Sequence, residues 1–135
     1  MLLSAKPYVE HKIKELKEQV DKLKIKPTLA LIRVGNDQAS IKYVNNKIKR
    51  CEEVGIKSQV HELPEHVDQK DVAKLIEKLN NDKIVTGILL QLPLPSHLDE
   101  HYLTNLIAPE KDVDGFTVAN AGRLSVGMDC NVACT

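Results

Sequence analysis

A chain of 135 residues is long enough to bury the core of one domain. Its 19 basic and 19 acidic side chains cancel and are interspersed, which fits a solvated surface and excludes the basic footprint of a nucleic-acid binder. With one Phe, three Tyr and no Trp, the core has to be built from Leu, Ile and Val.

Pro7 opens a helical pattern in which Val9, Ile13, Leu16, Val20 and Leu23 recur at steps of three and four. Lys22 and Lys24 suit its C-terminal end, and Pro27 breaks the pattern. Residues 28–34 form an apolar run fit for a strand buried on both faces. Gly35-Asn36-Asp37 is a turn. The helix that follows, 39–55, carries Ile41, Val44, Ile48 and Cys51 on one stripe, and Gly55 supplies a left-handed stop. Residues 56–63 alternate imperfectly as a strand, with Ile56, Ser58, Val60 and Glu62 on one face, and Pro64 ends it. Asp68 is placed to N-cap a helix whose stripe is Val72, Leu75, Ile76 and Leu79, with a turn at Asn80-Asn81-Asp82. Residues 85–92 are the most apolar strand and are expected at the sheet centre. Pro93 and Pro95 cannot donate to a ladder and stop it. A short helix at 98–107, an acidic loop at 109–116 and a poorly patterned tail complete the chain.

Strands alternating with helices predict an α/β fold of three layers, a mostly parallel sheet with helices on both faces and right-handed crossovers. Ligands of such folds bind outside the carboxyl ends of the strands, where residues 35–37, 91–95 and the Asp114 loop converge. No run approaches a membrane span, and Met1-Leu2-Leu3-Ser4 is too short for a signal-peptide core. Cys51, Cys130 and Cys134 are odd in number and lack CxxC spacing, and the five His show no ligand spacing with them. Reduced thiols, no metal and an intracellular setting are expected.

Tyr43 and Lys47 are four apart, so a ring and an amine project from one helix face. Taken alone, such a pair is more often solvated surface than site. It stands, however, between Leu31-Ile32-Arg33-Val34-Gly35-Asn36-Asp37-Gln38-Ala39-Ser40 and two further stretches. These are Gly87-Ile88-Leu89-Leu90-Gln91-Leu92-Pro93-Leu94-Pro95 and Pro109-Glu110-Lys111-Asp112-Val113-Asp114-Gly115-Phe116. In order and spacing they resemble the bifunctional methylenetetrahydrofolate dehydrogenase/methenyltetrahydrofolate cyclohydrolase family, from about Ala5 to the last residue.

The resemblance implies two steps on one reduced folate: hydride transfer from methylenetetrahydrofolate to NADP, then hydrolysis of the methenyl cation to formyltetrahydrofolate. Lys47 matches the motif lysine and would move protons to and from water; a bound cation beside it favours the neutral amine. Tyr43 would stack on the flat part of the folate. Gln91 would hold Lys47 and the reacting carbon in register. Leu92 and Pro93 join the substrate site, and Pro93 and Pro95 shape its floor, one of them after a cis bond. Asp114 would accept two hydrogen bonds from the pterin edge, with Asp112 capping the loop. The resemblance also implies a cytoplasmic homodimer in the full-length enzyme and a supply of one-carbon units to purine biosynthesis.

Gly35-Asn36-Asp37 lacks the GxGxxG fingerprint, so these residues are not expected to bind the nicotinamide cofactor. Residues 1–135 read as the folate-binding catalytic domain. The family's following Rossmann-type NAD(P)-binding domain is expected to be absent, because its pattern continues past Ala133-Cys134-Thr135. Gln38 and Ala133 stand where the family has proline, and part of its first strand is missing. The competing reading is a truncated, non-catalytic folate-binding or interaction module. Joint presence of Tyr43, Lys47, Gln91 and Asp114 favours the enzyme domain.

Overall fold

A computed structural model describes residues 5–133. The readings of Met1-Leu2-Leu3-Ser4 and of Cys134 lie outside them; Cys51 and Cys130 are free thiols. Strand β1 (Thr28–Val34) is the one on which the other elements assemble. It pairs in parallel with β2 (Lys57–Leu63) on one side and with β3 (Gly87–Leu90) on the other, in the order β2-β1-β3. Helix α1 (Lys6–Asp21) precedes β1, α2 (Gln38–Val54) and α3 (Gln69–Asn81) connect the strands, and α4 (Glu100–Asn105) and α5 (Val118–Ser125) follow β3.

Alternation along β1 sorts the helices onto two faces. Ala30, Ile32 and Val34 join Ile88 and Leu90 of β3, Val72, Ile76 and Leu79 of α3, and Leu103 of α4 in one buried core. Leu31 and Leu89 point the other way, to the face where α2 packs on β1 and β2 and α1 packs on α2. The predicted α/β layering is what the chain adopts.

The chain does differ from expectation in places. The 85–92 run is not the sheet centre: β1 is, and β3 is only four residues long. Its apolar character reflects the burial of all four residues, and among the described residues its outer edge carries one isolated parallel bridge, Ile88 to Asp112. α1 ends at Asp21, so Leu23 falls outside it; Lys26, not Lys22 or Lys24, donates to the Val20 carbonyl at 2.8 Å. α3 runs through Asn81, so the turn begins at Asp82. Asp68 occupies the N-cap position of α3 without a side-chain cap bond. The helix expected at 98–107 is shorter, Glu100–Asn105, with Asp99 accepting from Tyr102 N at 2.9 Å. The tail read as unpatterned contains α5, started by the Thr117 hydroxyl, which accepts from Asn120 N. Only Asn120 of α5 is buried, so the helix has no apolar stripe to betray it.

His61 sits opposite Ile32 in the β1–β2 ladder, with its ring Nε2 buried and unpartnered among the described residues. Burial, helped by the Lys78 ammonium, holds its pKa below 6.5. The folded state therefore prefers the neutral ring, and this contribution is complete above the unfolded value and lost as pH falls through the folded one. Urea unfolding midpoints should drop between pH 7.5 and 5.5 on this account, roughly the range over which histidine titrates. His61→Gln should flatten that slope; an unchanged slope would remove His61 as its source.

Candidate active site

The sheet order reverses direction at β1: α2 leaves it toward β2, while the chain leaving β3 passes over the opposite face. Parallel sheets open a crevice at such a point, outside the carboxyl ends of the two strands. Gln91 lies there, one residue past β3, and its backbone N–H extends the ladder by donating to Ile32 O at 2.8 Å. Two residues beyond Leu89, its side chain turns to the α2 side.

α2 enters the crevice because its own ends are well specified. Asp37 Oδ1 accepts from Ser40 N at 2.7 Å at the N-terminus, and Gly55 closes the helix at φ 82°. Val44 and Val54 anchor its inner face. That leaves Tyr43 and Lys47 on the crevice side, one turn apart. Lys47 Nζ donates to Gln91 Oε1 at 3.3 Å, and Gln91 Nε2 donates to the Leu92 carbonyl at 2.7 Å. The amide is thus held at one end by the backbone and presents its oxygen to the amine at the other. Tyr43 is 61% exposed, so its ring is free to lie against a flat ligand.

Asp114 completes the group from the loop after α4. Burial pushes its carboxyl above the ordinary value, the Lys47 ammonium opposes the shift, and the Asp112 carboxylate adds to it. Asp114 lines a small cleft with Ile88 and Leu90 of β3, Thr104 of α4 and Phe116. Asp112 faces inward and serves the loop. It is 2% exposed and accepts from Gly115 N (2.9 Å), Phe116 N (3.3 Å), Thr117 N (2.8 Å) and Asn120 Nδ2 (3.0 Å). The expected loop-capping role for Asp112 is what its geometry shows.

Leu92 and Pro93 part company. Leu92 lines a cleft of about 290 Å³ with Thr104, Asn105 and Phe116. Pro93, which follows a cis bond, lines another of about 380 Å³ with Gly35, Asn36, Asp37 and Glu65; Pro95 borders the same cleft. The prolines thus lie on the β1 side, in a cleft that Tyr43, Lys47, Gln91 and Asp114 do not line, whereas Leu92 belongs to the Phe116 side.

Residue-by-residue reading of the sequence missed Arg33. It is 6% exposed in β1, donates to the Gly35 carbonyl, and donates to Glu62 Oε1 at 2.7 Å. It braces the turn that feeds α2. The available signal was a lone guanidinium inside an otherwise apolar strand, because a buried charge has to be paired.

Residues 3–114 match the family described as tetrahydrofolate dehydrogenase/cyclohydrolase, catalytic domain. The bifunctional protein FolD of Moorella thermoacetica is 52% identical over 124 residues, covering 90% of this chain and 44% of the relative. A crystal structure of the bifunctional FolD enzyme from Campylobacter jejuni superposes with a TM-score of 0.91 at 44% identity, over 94% of this chain and 47% of that one. The Trypanosoma brucei enzyme, solved with NADP cofactor and an inhibitor, gives 0.90 at 29% identity over 96% of this chain and 46% of that one. The chain spans about half the length of the curated relatives it matches. With matched motifs, a shared fold and a family match over most of its length, the chain belongs to the tetrahydrofolate dehydrogenase/cyclohydrolase family.

Proposed function

We propose that these residues form the folate-binding catalytic half of a bifunctional enzyme. That enzyme oxidises methylenetetrahydrofolate to methenyltetrahydrofolate and hydrolyses the product to formyltetrahydrofolate. The observation that carries the reading is the Lys47–Gln91 contact at the end of β3.

In this reading the Asp114 carboxylate accepts the paired N–H groups of the pterin edge. The Tyr43 ring packs on the conjugated part of the ligand. Between them the one-carbon unit lies against Lys47. For hydrolysis, the Lys47 side chain takes a proton from the water that attacks the methenyl carbon. It then returns that proton to the ring nitrogen as the carbon–nitrogen bond breaks, and the proton left on the new hydroxyl passes to solvent to give the formyl group. Gln91, fixed by its bond to the Leu92 carbonyl, keeps the amine aimed. Leu92 and Pro93 wall the ligand on its two sides.

NADP, when bound, accepts the hydride of the first step. The described residues do not fit it. The turn into α2 has no GxGxxG pattern, and the Asp37 carboxylate already occupies the N–H groups of that helix start, where a pyrophosphate would meet like charge. We place NADP on a part of the longer family proteins that these 135 residues do not include. Homodimerisation of the full-length enzyme, a cytoplasmic setting and a role in supplying purine biosynthesis follow from family membership and are proposed with it.

The chain should bind a tetrahydrofolate analogue in titration calorimetry. No heat at roughly millimolar ligand, the weak end of measurable affinity, from a sample shown to be folded, would overturn the reading.

A further inference from the structure

The loop bearing Asp114 is anchored on both sides by groups that do not face the crevice. On one side Lys111 Nζ donates to three carbonyls, Leu79 O (3.0 Å), Asn80 O (2.8 Å) and Asp82 O (2.8 Å). These lie at the C-terminal end of α3, where carbonyls lack intrahelical donors and the helix dipole favours a cation. The carbonyl of the same residue accepts from Ile88 N at 2.7 Å. Lys111 thus joins α3, β3 and the loop at one point. Without it α3 would still be tied to the chain by Asn80, which donates to Leu106 O at 2.7 Å and accepts from Ala108 N at 2.9 Å. Its loss falls on the loop, not on the helix.

On the other side the tail crosses the loop. Asn131 Nδ2 donates to Asp112 O at 2.9 Å and to Pro109 O at 3.2 Å. Residues 131–133 press on Gly115 so closely that a Cβ there would stand 2.7 Å from Asn131 O and 2.9 Å from Ala133 N. Gly115 also has φ +68°, so only glycine suits the contact. Asp114 lies between these anchors.

We propose that Lys111 and Asn131 are positioning residues for Asp114, holding it at the small cleft it shares with Ile88 and Leu90 of β3, without touching substrate. The consequence for catalysis rests on the folate reading above; the positioning itself does not.

Three variants test it: Lys111→Met, Asn131→Ala and Lys26→Met. Lys26 is the control, since its ammonium caps the Val20 carbonyl of α1 at 2.8 Å, beside the start of β1 and hence at the far end of the sheet from the crevice. Two quantities are read in each: the carboxyl titration of Asp114 by carbon NMR, and affinity for a tetrahydrofolate analogue. In Lys111→Met and Asn131→Ala the Asp114 titration should move down toward the ordinary carboxyl value, and affinity should fall roughly tenfold, as expected of misplaced binding groups. Lys26→Met should lose some thermal stability and change neither quantity. Unchanged Asp114 titration in both loop variants overturns the proposal, whatever their melting temperatures. A titration that moves in both, in a protein that binds no folate, supports the positioning and overturns the folate reading alone. If Lys111→Met does not fold, Asn131→Ala decides the question, since its side chain is exposed and its removal leaves the core intact.

Discussion

Lys47→Met, made in a full-length enzyme carrying this domain, should lower cyclohydrolase turnover by roughly 10²–10⁴-fold, the usual contribution of a positioned acid–base group. Hydride transfer should survive in part. Opening the methenyl cation requires a proton to leave water and another to reach the ring nitrogen. Hydride departure requires orientation, which Tyr43, Gln91 and Asp114 still provide. Methionine keeps the length and apolar stem of lysine, so α2 should still pack through Val44 and Val54. Lys47→Arg should not restore the lost step, because a guanidinium stays protonated and cannot act as a base. Both activities are measured on each purified variant, with circular dichroism as the folding control. Normal cyclohydrolase turnover in the Met variant would remove Lys47 from the mechanism, and with it the meaning given to its contact with Gln91.

Asp112→Ala is expected to be the most damaging single change to the site's framework. It leaves Gly115 N, Phe116 N, Thr117 N and Asn120 Nδ2 without their shared acceptor. An orphaned buried donor costs about 1–3 kcal/mol, so a loss of about 3 kcal/mol or more is expected even if water reaches some of them. The urea midpoint reports it, and a change under about 1 kcal/mol would show that the loop is held by other means. Asp112→Asn should be milder, since a carboxamide keeps one acceptor oxygen. The pH dependence has a definite sign. Burial opposes ionisation of Asp112, but hydrogen bonds from Asn120, Thr117 and Phe116 outweigh it and hold the carboxyl below 3.8. Its contribution is therefore complete above that value and is lost as pH falls through the folded one. In Asp112→Ala the acid limb of the stability curve should be correspondingly flatter.

Much of the architecture was legible because local and global signals agreed. β1 has the expected bounds, and α2 starts one residue before its predicted span and closes on Gly55, since an N-cap carboxylate, an apolar stripe and a left-handed glycine all act within a few residues. Two motif residues were legible too: Lys47 and Gln91, 44 positions apart, meet because α2 begins and β3 ends at the same edge of a parallel sheet. What could not be read was anything set by neighbours distant in sequence. The 85–92 run and a central strand look alike in one dimension, because burial on two faces makes both apolar; only pairing partners decide that β1 is the middle. α5 was hidden because helices that bury one polar residue leave no periodicity. The anchors of the Asp114 loop were hidden for the same reason. Lys111 in an acidic stretch and Asn131 in a featureless tail look like solvated side chains until the fold brings carbonyls from α3 and the loop within reach of their hydrogens. The sequence by itself singled out Tyr43, Lys47, Gln91 and Asp114 and the sheet edge at which Lys47 and Gln91 meet. The tertiary structure alone decided what holds them there, because hydrogen bonds between remote segments depend on where the chain returns and leave no local pattern.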